Sequence, residues 1–553
     1  MKISYINFWT QNYDIDFWLS NFCKSIFEDN IELVHFSKNP DILFCSCFGP
    51  IRNIQKTIAK IKIFFTGENV DRDVYNEYSN EKIMNETFNL RLAFHFNDIK
   101  NNKLRLPLWL TYYNFFTMNA KENFITYMIN KRHKNIQNKT SLGSLVCRHD
   151  RGGQRIKIMN ELIKHGHVVS AGKFNNNCGR IIGPTWNDKL NFLKQSIFTI
   201  CPENSSRLGY CTEKLFHAFE AGCIPLYWGN DVPEKDLIEK NSYIFVNMEN
   251  EAIRKQQIAN AVNHQKEIIQ NPIFTKQAPY VLDNYYKTLE WQLKVKLGLI
   301  EKQKIYGISY ATRDFIGCKQ KENIFKNSGY FNHFDMYGED DVDEKFKQEN
   351  KEIWYNSARG GGWWIWKPYL IYKKLQEMKD NDILVYFDSG CTLCTTLEAK
   401  KRFNVYIELV NNHWTGFLRF QLSSNCQEKK YTNQYTINYF EKRYNENMDK
   451  YIANEQLVGG IQIIRKTKFT MDFFKEVLSI LEDNKHLFDE TYTQKGENHR
   501  HDQSIMSLLY KLKGGNLIIK DETWFGRGGC LGNESFGSNL SKKYPIWATR
   551  MRQ

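Results

Sequence analysis

Residues 188–228, DKLNFLKQSIFTICPENSSRLGYCTEKLFHAFEAGCIPLYW, alternate between two periodicities. Asp188–Gln195 and Thr212–Ala221 space their apolar residues as helices do, and Ile197–Cys201 and Cys223–Trp228 are apolar runs of strand length. Strand and helix in alternation predict a mostly parallel, doubly wound sheet. The pattern extends upstream. Leu142–Cys147 and His167–Ala171 read as strands around a helix over Gln154–His165 that stops at Gly166. Lys2–Phe8, Ile42–Ser46 and Lys62–Phe65 read as strands of an earlier α/β unit. Gln257–Lys296 is polar and helical, and Ile305–Ser309 opens a new pattern, so the main boundary is expected near residue 300. Beyond it stand a buried-type strand, Ile383–Phe387, and a helix, Asp502–Leu512. No repeat of solenoid period is visible.

A chain of 553 residues exceeds one hydrophobic core, so several folding units are expected. Apolar residues make up 42% and charged residues 25%, ordinary for a soluble globular protein, but 30 Tyr, 38 Phe and 13 Trp make it aromatic. The net charge of +14 comes from dispersed Lys and Arg interleaved with 62 acids, which argues against a nucleic-acid footprint and suits diphosphate donors or an anionic membrane surface. The start runs straight into polar residues and resembles no signal peptide. No stretch reaches the roughly 18 apolar residues of a spanning helix. Thirteen scattered cysteines suit reduced thiols in a cytoplasmic chain. Cys391 and Cys394 have zinc-like spacing but no second pair to match it.

Thr212-Glu213-Lys214 falls where a strand gives way to a helix, with Thr212 a natural N-cap. A helix start with a lysine favours a diphosphate; the same three residues also suit simple capping on a solvated surface. Asn204 stands nine residues before Glu213 and Tyr210 three before it, and Pro225 and Gly229 follow the helix. Together these resemble the donor-binding signature of the family-ten α-1,3/1,4-fucosyltransferases. Phe65-Thr66-Gly67-Glu68-Asn69 resembles that family's catalytic loop, and Leu104-Arg105-Leu106-Pro107-Leu108 the segment after it. Leu145-Val146-Cys147 with Arg155 resembles its donor-contacting strand and helix. The resemblance, over about residues 60–230, implies Glu68 as general base and Arg155, Asn204, Tyr210, Glu213 and Lys214 as donor contacts. It further implies an inverting transfer from GDP-fucose without a metal, O3 of N-acetylglucosamine being the family's default acceptor atom. Arg207, which departs from the pattern, is either a further phosphate contact or a surface residue.

In the second half, Asp388-Ser389-Gly390 follows the strand Ile383–Phe387, where an Asp either holds a nucleotide-bound metal or makes a turn. Arg359-Gly-Gly-Gly-Trp363-Trp364-Ile-Trp366-Lys367-Pro368 puts a glycine loop, aromatics and cations before a helix. His499-Arg500-His501-Asp502-Gln503 offers a base at Asp502, or an ordinary N-cap there. These elements resemble capsular-polysaccharide glycosyltransferases, which implies Trp366, Lys367 and Asp388 at a donor, Asp502 as base, and a Mn or Mg ion at Asp388.

The expected architecture is α/β: a GT-B-like pair of Rossmann-like domains, acceptor-side over 1–135 and GDP-fucose-binding over 136–300, then a GT-A-like domain over 301–553. The expected function is a bifunctional glycosyltransferase using nucleotide sugars and a glycan acceptor. The alternative makes the second half a carbohydrate-binding module. The expected setting is cytoplasmic, with peripheral membrane contact, no nucleic acid and no specific protein partner.

Overall fold

The computed structural model describes the chain except residues 10–17, 29, 71–74, 114–119, 184, 231–233, 313–317, 358, 527–528, 533 and 550–553. It divides into two compact units, Met1–Ile300 and Glu301–Gln553.

The first unit holds two parallel sheets. Strands β1 (Lys2–Ile6), β2 (Glu32–Leu33), β3 (Ile42–Cys45), β4 (Ile61–Phe65), β5 (Leu90–Ala93) and β6 (Lys103–Arg105) lie in the order β2-β1-β3-β4-β5-β6. Strands β7 (Ser141–Cys147), β8 (Val168–Gly172), β9 (Ser196–Ile200), β10 (Ile224–Tyr227) and β11 (Ile244–Phe245) lie in the order β11-β10-β9-β7-β8. Both sheets therefore reverse their winding once, between β1 and β3 and between β7 and β9. Loops leaving the two strands at such a point diverge and open a crevice at the carboxyl ends. The strands are apolar on both faces because helices cover both: Leu43, Ile54, Phe64 and Met84 share one core, and Leu145, Ile158, Phe198 and Leu226 another.

The polar stretch after residue 250 forms helices Glu251–Asn263, Gln265–Ile268 and Ala278–Lys296. The last returns to the first sheet: Tyr286 Oη donates to Ser25 O at 3.1 Å and Arg105 Nε donates to Tyr285 Oη at 3.1 Å.

The second unit has one mixed sheet. Strands β12 (Ile305–Tyr310), β13 (His333–Tyr337), β14 (Ile383–Phe387), β16 (Phe417–Gln421), β17 (Ile461–Arg465) and β18 (Ile518–Lys520) lie in the order β13-β12-β14-β17-β16-β18, and β17 alone runs antiparallel to both neighbours. Strands β15 (Thr392–Leu393) and β19 (Ile546–Trp547) form a small antiparallel pair. The core of this unit is built on Ile383, Val385, Phe387, Phe403, Ile461 and Ile463.

Two expectations about helix starts need correction. Thr212 occupies the N-cap position of helix Glu213–Glu220, but its side chain makes no capping bond, since its hydroxyl is drawn to Glu203. Helix His501–Leu512 begins one residue early, with Arg500 at the N-cap, so Asp502 lies inside its first turn. No helix among the described residues is long and apolar enough to cross a membrane, and the described cysteines carry free thiols.

Candidate active site

The crevice of the second sheet in the first unit is bridged by Arg155. The guanidinium leaves the first turn of helix Gln154–Leu162 and donates to His149 O at 3.0 Å beyond β7, and to Pro202 O at 3.4 Å and Asn204 Oδ1 at 2.9 Å beyond β9. Asp150 caps the same helix by accepting from Ile156 N at 2.8 Å. One cation thus ties both loops of the switch point together.

Beside it, the buried carboxylate of Glu203 gathers the turn that leads into helix Glu213–Glu220. It accepts from Thr212 N at 2.7 Å, from Thr212 Oγ1 at 2.7 and 3.0 Å, and from Lys214 Nζ at 2.8 Å. Lys214 also donates to Thr212 Oγ1 at 2.8 Å. Burial alone would lower the Lys214 ammonium; the carboxylates of Glu203 and Glu213 outweigh it and raise its pKa above the ordinary lysine value. Gly229 is required here, because a Cβ on it would lie 2.8 Å from Glu203 Cγ and 2.9 Å from Tyr227 Oη. Since Thr212 is engaged with Glu203, its hydroxyl does not cap helix Glu213–Glu220.

Glu213 faces Lys189 Nζ at 3.7 Å. Against burial, Lys214 and Lys189 hold its carboxyl well below the usual range. Lys189 Nζ is also 3.1 Å from His217 Nδ1, and His217 stacks on Trp186 with centroids 5.6 Å apart. Tyr210 is buried with its ring edge-on to Phe94 at 5.0 Å. Arg207 is exposed.

Glu68 follows β4 in the first sheet, half-buried, with its N–H donating to Thr66 Oγ1 at 3.0 Å. Gly67 presses on Leu108, where a Cβ would come within 2.5 Å of the leucine side chain, so the Glu68 loop packs against Leu108. Asn69 Nδ2 donates to Ser205 Oγ at 3.0 Å and joins the Glu68 loop to the loop of Glu203 and Asn204. Sequence patterning missed the support behind this junction. Arg105 donates to Glu234 Oε1 at 2.6 Å and to Gly209 O at 3.0 Å, and Glu234 also accepts from Trp109 Nε1 at 2.9 Å and Tyr285 Oη at 2.7 Å. Glu234 and Tyr285 lie 129 and 180 positions from Arg105, so no local spacing announces them.

In the second unit, Lys367, Asp388 and Asp502 meet at the carboxyl end of β14. Lys367 Nζ is 2.8 Å from Asp502 Oδ2 and 3.6 Å from Asp388 Oδ1. Lys367 and Asp502 are buried, whereas the Asp388 side chain is 49% exposed, so only Asp388 can meet a ligand directly. Tyr386 Oη donates to Asp388 Oδ1 at 2.6 Å. Burial raises the pKa of Asp502, with Lys367 opposing. Trp366 does not face this cluster: its ring stacks on Tyr310 at 3.7 Å, and its Nε1 donates to Gly360 O at 2.8 Å. It holds a run of five left-handed residues, Gly360 to Trp364, and His501 (φ 50°) stacks on Trp364 at 5.3 Å. Backbone strain of this kind gathers at ligand sites.

Among the described residues no three His, Cys, Asp or Glu side chains gather as metal ligands. The Lys367 ammonium already stands between the two carboxylates. A resident Mn or Mg cage does not fit; what remains is one half-exposed carboxylate, the contact that a cation carried by substrate phosphates uses.

Residues 3–112 match the model of the alpha-(1,3)-fucosyltransferase FucT N-terminal domain, and residues 136–267 match that of the glycosyltransferase family 10 (fucosyltransferase) C-terminal region. Alpha-(1,3)-fucosyltransferase FucT of Helicobacter pylori is 24% identical over 232 residues, 38% of this chain and 45% of the relative, so the chain spans about half the length of this curated relative. A solved alpha1,3-fucosyltransferase aligns at 20% identity with a TM-score of 0.40, over 54% of this chain and 90% of that one. A structure of alpha1,3-fucosyltransferase with GDP-fucose aligns at 19% identity and 0.38, over 52% and 90%. The first unit thus carries, in chain order, matches to both the N-terminal and the C-terminal domain of the family-ten fucosyltransferases.

Proposed function

We propose that the first unit is an inverting α-1,3-fucosyltransferase that moves fucose from GDP-fucose to a glycan hydroxyl. The observation that carries this reading is the Asn69–Ser205 hydrogen bond, which sets a carboxylate loop beside a switch-point crevice lined by Arg155 and Lys214. Glu68 takes the proton of the acceptor hydroxyl, the hydroxyl oxygen bonds to the anomeric carbon, and the bond from that carbon to the β-phosphate breaks on the opposite face. Lys214, Arg155 and the start of helix Glu213–Glu220 stabilise the charge that grows on departing GDP. Asn204, Tyr210 and Glu213 complete the donor contacts.

The second unit is read as a second nucleotide-sugar-dependent transferase of GT-A-like architecture. Support comes from the single reversed strand beside β14 and from Asp388 at the end of that strand. A Mn or Mg ion arriving with a donor diphosphate would have Asp388 as its protein ligand. The competing reading, a carbohydrate-binding module, is favoured by one observation: Asp388 and Asp502 outnumber Lys367, and this excess negative charge suits sugar hydroxyls without any cation.

Glu68→Ala should lower GDP-fucose transfer by about 10²–10⁴-fold while GDP still binds. Transfer at the wild-type rate would remove Glu68 from the mechanism. Asp388→Asn, with the first unit intact, should abolish turnover of a second nucleotide sugar if the second unit is a transferase.

A further inference from the structure

Helix Ala120–Asn135 presents two adjacent stripes. Phe124 and Met128 are buried, and the Phe124 ring lies 5.5 Å from Trp109 and 6.2 Å from Phe216 of helix Glu213–Glu220. The neighbouring stripe is Ile125, Ile129 and Arg132, continued by Ile136 just past the helix. Spaced at i, i+4, i+7 and i+11, these residues share one face over about 16 Å. They line a groove of about 410 Å³ with Pro272, Ile273, Phe274 and Pro279. Its volume and largely apolar walls are those of a small-molecule site, and Ile129, 37% exposed, keeps it open to solvent.

Arg132 breaks the apolar run. It is 3% exposed, yet no carboxylate pairs with it: one Nη donates to Asn271 O at 2.9 Å, the other to Ile268 O at 3.5 Å, and the Nε–H has no acceptor. No Asp or Glu stands among the described residues that line the groove, whereas His133 and Lys276 add basic side chains. Burial without a counter-charge pushes the guanidinium pKa down to about 10. A buried charge is costly unless something pairs with it. The Nε–H and the Nη on the same edge form a planar fork, the shape that a carboxylate accepts with both oxygens. Turning that edge into the groove surrenders only the long bond to Ile268 O.

We propose that this groove binds a single-chain aliphatic carboxylate, its head on Arg132 and its chain along Ile125, Ile129 and Phe274. The apolar walls grip an alkyl chain by burial, and the guanidinium reads the head, so the site selects for negative charge and for chain length. Glu68, Arg155, Glu203 and Lys214 do not line it. The inference therefore stands apart from the transferase reading.

Titration calorimetry of the full chain with monomeric octanoate, decanoate and decanol tests it. Decanoate should bind wild type roughly tenfold tighter than octanoate, because it buries two more methylenes. It should bind about 10–100-fold tighter than decanol, which lacks the charge-assisted pair. Ile129→Asp sets a like charge at the exposed side of the groove and should abolish decanoate binding with the melting curve retained. Arg132→Gln should bring decanoate down to the affinity of decanol while the gain with chain length persists. No decanoate binding to wild type, equal affinity for decanoate and decanol, or decanoate binding that survives Ile129→Asp overturns the proposal, whether or not Arg132→Gln folds. Cosedimentation with phosphatidylglycerol vesicles in the absence of decanoate binding also overturns it, and assigns the groove to a membrane surface instead.

Discussion

Each unit sets a lysine against a buried carboxylate beyond the end of a central strand, but the two sites carry opposite balances. Around Lys214, the cations Arg155 and Lys189 match the acids Asp150, Glu203 and Glu213, and the start of helix Glu213–Glu220 adds positive potential. Around Lys367 two carboxylates share one ammonium. The first arrangement receives an anion without help; the second receives hydroxyls, or an anion accompanied by a cation. Burial differs in the same sense: Glu203 is sealed, while Asp388 is half open.

The sharpest way to break this comparison is to remove the shared ammonium of the second unit. Lys367→Met leaves Asp502 buried without its partner, and breaking a buried pair typically costs about 3–5 kcal/mol. The melting transition of the second unit should fall accordingly, and Asp502→Asn added to Lys367→Met should restore most of it. An unchanged transition in the single variant would mean that Lys367 carries no such pairing.

The matching change in the first unit acts on function. Glu203→Gln keeps shape and the Thr212 bonds but removes the charge that fixes Lys214. A charge-assisted hydrogen bond contributes about 1.5–3 kcal/mol, so kcat/KM for GDP-fucose should drop about 10–100-fold with the fold retained. If Glu203→Ala and Glu203→Gln lose stability but leave donor kinetics alone, the carboxylate is only structural.

Acidification gives a smaller contrast. Burial, then the Lys189 ammonium, holds the His217 imidazole down to about 3. The unfolded residue titrates near 6.5. As pH falls from 6.5 toward 3, the unfolded chain gains a proton that the folded chain refuses, so the first unit loses stability in that window. His217→Phe, which preserves stacking on Trp186, should flatten this limb of the melting-temperature profile. Asp502 has the opposite sign: its folded pKa is raised, so stability is gained as pH falls through that value to the unfolded one near 3.9. Asp502→Asn should therefore remove an acid-side gain in the second unit.

How much of this was legible in the sequence follows from the range of the forces involved. Periodicity gave the strands β7, β9, β10 and β14 to within a residue or two, because a strand covered on both faces must be apolar throughout. Motif spacing marked Arg155, Asn204 and Lys214, which the fold brings to one crevice. It passed over Glu203, although Glu203 adjoins Asn204, because an acid between Pro202 and Asn204 looks like an exposed turn until Thr212 folds back on it. It gave Thr212 a capping role for the same reason. The Arg105–Glu234 pair joins residues 129 positions apart, and nothing periodic encodes that.

Two glycines measure the difference in burial most finely. Ala at Gly229 would place a Cβ 2.8 Å from Glu203 Cγ, and Ala at Gly460 would place one 2.5 Å from Asp388 Oδ2. The second overlap is the closer, yet it should cost less. Glu203 is enclosed, and its oxygens are committed to Thr212 and Lys214, so the added methyl must displace the turn that holds them, at about 1–3 kcal/mol. Asp388 can swing toward solvent and surrender only its bonds to Tyr386 and Lys367. Gly229→Ala is thus expected to weaken GDP-fucose binding about tenfold, by titration calorimetry, with Gly460→Ala shifting the melting point of the second unit by less than about 1 kcal/mol equivalent. Equal penalties at the two glycines would mean that Asp388 is held as tightly as Glu203, and the proposed openness of the second site to a ligand would fail with it.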